Sequence, residues 1–163
     1  MKKRLCFFIL FTVTILLIFS GCMKKQSFSD IPQISFLGAE SLIDTVVLTI
    51  SYQDGNGDIG LSKADTFAPY QKNGPYYYNY VINFFEKQNG VFHQVIDSIP
   101  FSTRIPVLTP NDPNKAIKGY IIDTMPFYPP PPYDTIRFEV FIYDHALNKS
   151  NTITTPEIIL RKK

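Results

Sequence analysis

The stretch Asp54-Gly55-Asn56-Gly57-Asp58-Ile59-Gly60-Leu61, with Asp65 four residues further on, holds the residue types that could do chemistry. Three side chains bearing oxygen, Asp54, Asn56 and Asp58, alternate with glycines that let the backbone curl, so carboxylates can converge on one point. A hard cation such as Ca²⁺ takes about 6–8 oxygen ligands at roughly 2.3–2.6 Å. Asp54, Asn56, Asp58 and Asp65, with the backbone carbonyl of Ile59, would form such a set, and flexible all-oxygen ligands favour Ca²⁺ over Mg²⁺. The same residue types also build plain turns, because Asp and Asn cap their own backbone and Gly supplies positive φ. Asp58 and Asp65 set this run apart from a bare turn, since carboxylates packed together repel unless a cation neutralises them.

A strand must deliver this loop, and Thr45–Tyr52 reads as one: Val46, Leu48, Ile50 and Tyr52 alternate with Val47, Thr49 and Ser51. Thr135–Tyr143 alternates in the same way, with Ile136, Phe138, Val140 and Ile142 on one face. If these are strands B and F of a sandwich, their following loops emerge at the same end, and Asp144 and Asn148 approach the Asp54–Asp65 loop and could complete its ligand set. The alternative is a local turn in which Asp144 and Asn148 bond nearby amides. Further strands are expected at Gln33–Leu37, Tyr76–Glu86, Val91–Ile99, Phe101–Leu108, Ala116–Asp123 and Thr152–Leu160. Asn89-Gly90 marks a hairpin because both residues tolerate positive φ. Pro126–Pro132 is expected to be an extended, non-pairing linker. No amphipathic helix stands out. Seven or eight short strands punctuated by turns describe an all-β fold, an immunoglobulin-like β-sandwich, over residues 32–163.

The N-terminus carries a different signal. Met1-Lys2-Lys3-Arg4 is basic, Leu5–Phe19 is almost wholly apolar, and Ser20-Gly21-Cys22 puts small residues before a cysteine. The apolar run is shorter than the ~20 residues a spanning helix needs. It reads as a signal peptide over residues 1–21. Phe19-Ser20-Gly21-Cys22 resembles the lipobox of bacterial lipoproteins, which implies cleavage before Cys22 and diacylation of its thiol. Two acyl chains hold a protein stably at a membrane, each buried CH₂ contributing ~0.8 kcal/mol. Residues 22–31 then read as a lipidated tether. Lipidation would use the one cysteine left after cleavage, so no disulfide framework is expected. Removing Lys2, Lys3 and Arg4 from the 16 basic residues leaves 13 against 14 acidic ones, a net charge of −1. Such a balance gives no support for nucleic acid as a partner.

Tyr52–Leu61 and Phe141–Asn151 together resemble two signatures of Gram-negative lipoproteins with an immunoglobulin-like domain. That resemblance implies a cell-envelope location, with the outer membrane expected and its face left open, and implies no activity. Asp54, Asn56 and Asp58 are also similar to positions one, three and five of an EF-hand loop, with Leu61 at eight and Asp65 at the bidentate position. Ile59 stands where that loop needs Gly, so the expectation is a calcium loop carried on a β scaffold. His93 and His145 have no nucleophile motif around them, and no enzyme is expected. The remaining function class is binding or assembly with an envelope protein or a glycan. Tyr76, Tyr78 and Tyr80 are the candidate ligand-binding aromatics, since strand alternation would put them on one face and Tyr77 on the other.

The anchoring reading has a direct consequence. Cys22→Ala should release the chain from the membrane fraction or leave it as an unprocessed precursor. Normal lipid labelling and membrane retention of that variant would contradict it.

Overall fold

The structure, a computed structural model, describes residues 27–96, 100–109 and 115–163. The signal peptide expected over residues 1–21, Cys22 and the first part of the tether lie outside the described residues. Eight strands follow one another: β1 (Gln33–Leu42), β2 (Thr45–Asp54), β3 (Tyr80–Gln88), β4 (Val91–Val95), β5 (Ile117–Pro126), β6 (Thr135–Ile142), β7 (Ile153–Thr154) and β8 (Ile158–Ile159). One sheet has the order β1-β2-β5, and the other runs β4-β3-β6-β7 with β8 also paired to β6. Every pairing between these strands is antiparallel. This is the immunoglobulin-like β-sandwich expected from the pattern.

The period-2 pattern decides which residues enter the core. Val46, Leu48 and Ile50 of β2 and Ile136, Phe138, Val140 and Ile142 of β6 are all fully buried. Each apolar side chain removed from water contributes about 1.5–3 kcal/mol, so these two central strands carry much of the hydrophobic stabilisation. Phe84, Phe101, Phe127 and Phe138 meet between the sheets with ring centroids 5.2–6.0 Å apart, in tilted and edge-on arrangements. Phe127 belongs to the proline-rich segment expected to be a bare linker. It is instead buried, and its amide donates to the Asp44 carbonyl at 2.9 Å.

Other boundaries also differ from the sequence reading. β1 extends to Leu42 through an irregularity between Phe36 and Gly38. β4 ends at Val95, and the rest of the expected Val91–Ile99 strand lies largely outside the described residues. The expected strand over Phe101–Leu108 reduces to a single bridge, Tyr80 to Thr103. Side chains take over the ladder there. Ser102 Oγ accepts the Ile82 amide at 3.0 Å, and Asn79 Oδ1 accepts the Ile105 amide at 2.7 Å. The last strand splits into β7 and β8 for the same reason: Thr155 Oγ1 accepts the Phe138 amide at 3.0 Å. Ser150 Oγ likewise accepts the Ile142 amide at 2.9 Å.

Truncating the shared aromatic should be costly. Phe138→Ala should destabilise the fold by about 3–5 kcal/mol through lost burial and a residual cavity. Tyr128→Ala, at a residue 98% exposed, should stay within about 0.5 kcal/mol of the parent. Urea unfolding of both variants checks the contrast.

Candidate functional site

β2 ends on Asp54 and β6 on Ile142, each an inner strand of its sheet, and their following loops meet. The His145 amide donates to the Asp58 carbonyl at 3.0 Å, and the Tyr70 hydroxyl donates to the His145 carbonyl. The sequence expectation that Asp144 approaches the Asp54 loop is met by this juxtaposition.

Four hydrogen bonds, to Ser29 and to the segment 105–109, hold the loop in place. The Gly55 amide donates to the Ser29 carbonyl at 2.7 Å, and Leu61 donates to Ile105 at 2.8 Å. Leu108 donates to the Ile59 carbonyl at 3.2 Å, and Thr109 Oγ1 donates to the Gly57 carbonyl at 2.6 Å. Two glycines are required by close approach as well as by φ. A Cβ on Gly57 (φ 66°) would lie 1.9 Å from the Lys115 carbonyl oxygen, and one on Gly60 (φ 123°) 2.2 Å from that of Pro106. The loop's glycines thus seat it against neighbouring chain, which is a different task from curling around an ion.

Asp54 has no exposed surface. Its Oδ2 accepts the Asp58 amide at 2.9 Å, while its Oδ1 is buried without a hydrogen-bond partner. Burial, then the neighbouring charges of Asp58 and Asp144, push the Asp54 carboxyl up to about 6 against a weaker opposing pull from local amides. Asp58 is raised by burial and then by the Asp144 charge, and its Oδ1 is also buried and unpartnered. Asn56 Oδ1 makes a long 3.4 Å contact with the Asp58 amide. The ion pairs Lys87–Glu157, Arg137–Glu139 and Lys162–Asp134 lie elsewhere, and none of these supplies a counter-charge to the cluster.

The other expected ligands have other partners. Asp65 Oδ2 accepts the Ser62 amide at 2.6 Å and Oδ1 faces His145 Nε2 at 3.4 Å. Hydrogen bonds from Ser62 first, with the His145 contact adding to them, hold its carboxyl below the usual range. Asp144 is buried, and its two oxygens accept the Asn148 amide at 2.7 Å and the Asn148 side-chain amide at 2.8 Å. Asp144 and Asn148 therefore do cap their own turn, while Asp144 adds negative charge to the cluster. The Ile59 carbonyl is engaged by Leu108, and its side chain is core. Among the described residues no three His, Cys, Asp or Glu groups already converge as a metal shell. The donor set still fits Ca²⁺ chemically, because two buried carboxylate oxygens lack any partner and the groups around them are oxygens.

Arg104 was not legible as part of this region. Its guanidinium donates to the carbonyls of Tyr77 and Asp65 at 3.0 Å, Ser62 at 3.2 Å and Tyr70 at 3.4 Å, and it stacks on the Tyr77 ring. One arginine therefore gathers the whole excursion from Ser62 to Tyr77. In the sequence it is a lone charge in an apolar run and looks like any outward-facing strand residue.

The candidate aromatics do not form a platform. The strand begins only at Tyr80, so the expected alternation from Tyr76 does not exist, and Tyr80 is buried. Tyr76 packs edge-on against Tyr143, and Tyr77 packs against Tyr78.

A pH dependence follows for the metal-free protein. Asp54 binds a proton more tightly folded, at about 6, than unfolded, at about 3.9. Its stabilisation is complete below the unfolded value and is lost as pH rises through the folded one. Urea unfolding in chelator should therefore show stability falling between about pH 4 and pH 7, and Asp54→Asn should flatten that fall. Comparison with family models, with curated proteins and with solved structures finds no match to this chain, so the site's own geometry carries the functional reading.

Proposed function

We propose that this chain is a non-catalytic, lipid-anchored β-sandwich of the bacterial cell envelope, in which a structural Ca²⁺ fixes the loops at one end and the sandwich serves binding or assembly. The observation that carries the cation is the pairing of unpartnered, buried oxygens on Asp54 and Asp58, with the buried Asp144 charge beside them. Buried charge without a partner is strongly disfavoured, and a divalent ion relieves both the desolvation and the repulsion at once. Asp54 and Asp58 are the ligands this reading relies on, Asn56 and Asp144 are within the same loop pair, and Asp65 serves chiefly to pin the adjoining turn.

The non-catalytic reading rests on the surroundings of His145. Its imidazole meets Asp65 and the Tyr70 ring, and neither contact supplies an activated nucleophile. The lipid anchor rests on the Phe19–Cys22 resemblance. A glycan-binding role loses the aromatic row on which it depended, because Tyr80 is core and Tyr76 and Tyr78 each pack against another ring. That favours a protein partner.

A ligand that binds only the folded state stabilises it by mass action, ~2.7 kcal/mol at a hundredfold excess over its dissociation constant. Ca²⁺ should raise the melting temperature of the detergent-solubilised chain, and Asp58→Ala should abolish that response. Superimposable calorimetric transitions with Ca²⁺ and with chelator would defeat the cation reading and leave the aspartates as turn caps.

A further inference from the structure

The two lateral sides of the sandwich are unlike. On one, β1 is stitched to the C-terminal segment: Asn151 bonds both the amide and the carbonyl of Ile34 at 2.8 and 2.9 Å, and Asp44 donates to Arg161 at 2.8 Å. On the other, β5 is the last strand of its sheet, at a place where immunoglobulin-type sandwiches often carry one more strand. Across the gap lies the extended segment 103–108, and among the described residues no backbone hydrogen bond joins it to β5.

That gap is a cavity of about 360 Å³ whose wall includes Tyr52, Tyr80, Arg104, Tyr120 and Asp123. Two polar atoms belonging to its wall residues are buried without a partner: Tyr80 Oη, on a residue 1% exposed, and Asp123 Oδ2. The Arg104 guanidinium does not answer them, because it is already bound to carbonyls of the 62–77 excursion. Tyr120 and Ile122, which also line the cavity, are 72% and 69% exposed on β5. Natural edge strands are usually blunted by bulges, prolines or charge. β5 carries Lys118, Asp123 and a terminal Pro126 but no bulge, and it runs ten residues in unbroken register with β2.

We propose that the free edge of β5 takes up an extended segment of a partner protein, with a lysine or arginine side chain of that segment entering the cavity beside Asp123 and Tyr80. Strand addition supplies backbone hydrogen bonds, and a side-chain pocket supplies selectivity. The cationic side chain follows from the wall: Asp123 is the one acidic residue among those lining it, and a carboxylate accepts from an ammonium or guanidinium. This gives a surface and a partner chemistry to the binding role proposed above. It rests on that role and shares no ligand residue with the aspartate cluster.

The test uses the full chain in detergent and fluorescein-labelled seven-residue peptides of alternating threonine and valine, with Lys, Arg, Leu or Glu at the centre. Fluorescence anisotropy should show binding of the Lys and Arg peptides, and at least tenfold weaker binding of the Leu and Glu peptides. Asp123→Asn should erase that preference, and Ile122→Lys, at an exposed edge position, should weaken every peptide. Repeating the titration in Ca²⁺ and in chelator separates this groove from the cation: persistence of binding in chelator supports the groove whatever the loop does. Binding of none of the four peptides, or equal binding of all four to the parent, overturns the proposal. A concentration-dependent dimer in sedimentation that Ile122→Lys abolishes would make the occupant a second copy and overturn it as well.

Discussion

A carboxylate with no exposed surface, at the end of the central strand β2, is the constraint around which one end of this molecule is arranged. Asp54 can be buried there because its Oδ2 holds the Asp58 amide and the loop folds back over it. Folding back requires backbone from residues 29, 105–109, 115 and 145 to press against the loop, and that contact is what demands glycine at 57 and 60. The electrostatic cost is concentrated as a result. Asp58 and Asp144 sit near the same buried group and make its charge harder to hold, and Asp144 does the same to Asp58. Packing and charge pull in opposite directions at this end, and the divalent ion proposed above would reconcile them.

Elsewhere the sandwich handles polarity by substitution. Asn79, Ser102, Ser150 and Thr155 are buried, and each accepts a backbone amide that would otherwise face another strand. Asn79 and Asn151 go further, since each meets both the donor and the acceptor of a single residue, as a neighbouring strand would. A buried amide left unbonded costs more than an ordinary hydrogen bond contributes. These side chains therefore do structural work that a longer ladder would do in a more regular sheet.

That substitution explains where sequence reading succeeded and where it failed. β2 and β6 were legible because both have a core face and an opposite face, so apolar residues recur at every second position. The hairpin at Asn89-Gly90 was legible because both residues have positive φ, 51° and 84°. Phe101–Leu108 carried strand-like residues but pairs mainly through Ser102 and Asn79, and nothing in a polar residue's identity says that its side chain will stand in for backbone. The meeting of the Asp54 and Asp144 loops followed from the placement of two strands. The commitments of Asp65 to Ser62 and His145, and of Arg104 to four carbonyls, depend on the path of residues 62–78, which has no periodicity to read. Tyr80 was misplaced for a related reason: the tyrosines before it belong to that irregular path.

The bond from Gly55 to Ser29 reaches beyond the loop itself. It ties down the end of the segment expected to be a free tether, so the anchored stretch is shorter than it looked. Ser29 follows Cys22 by seven residues, and seven residues span at most about 25 Å. With the lipid proposed on Cys22, the aspartate loop would be the pole tethered nearest the membrane. β2 runs away from that pole for the length of a strand, ten residues at about 3.3 Å each. The opposite pole, with the turns at Asp44 and Asn89-Gly90 and the nearly fully exposed Tyr128, is held outward. On the proposed lipid anchor, the edge of β5 would run from the membrane-proximal pole toward the outer one, in reach of a neighbour anchored in the same membrane.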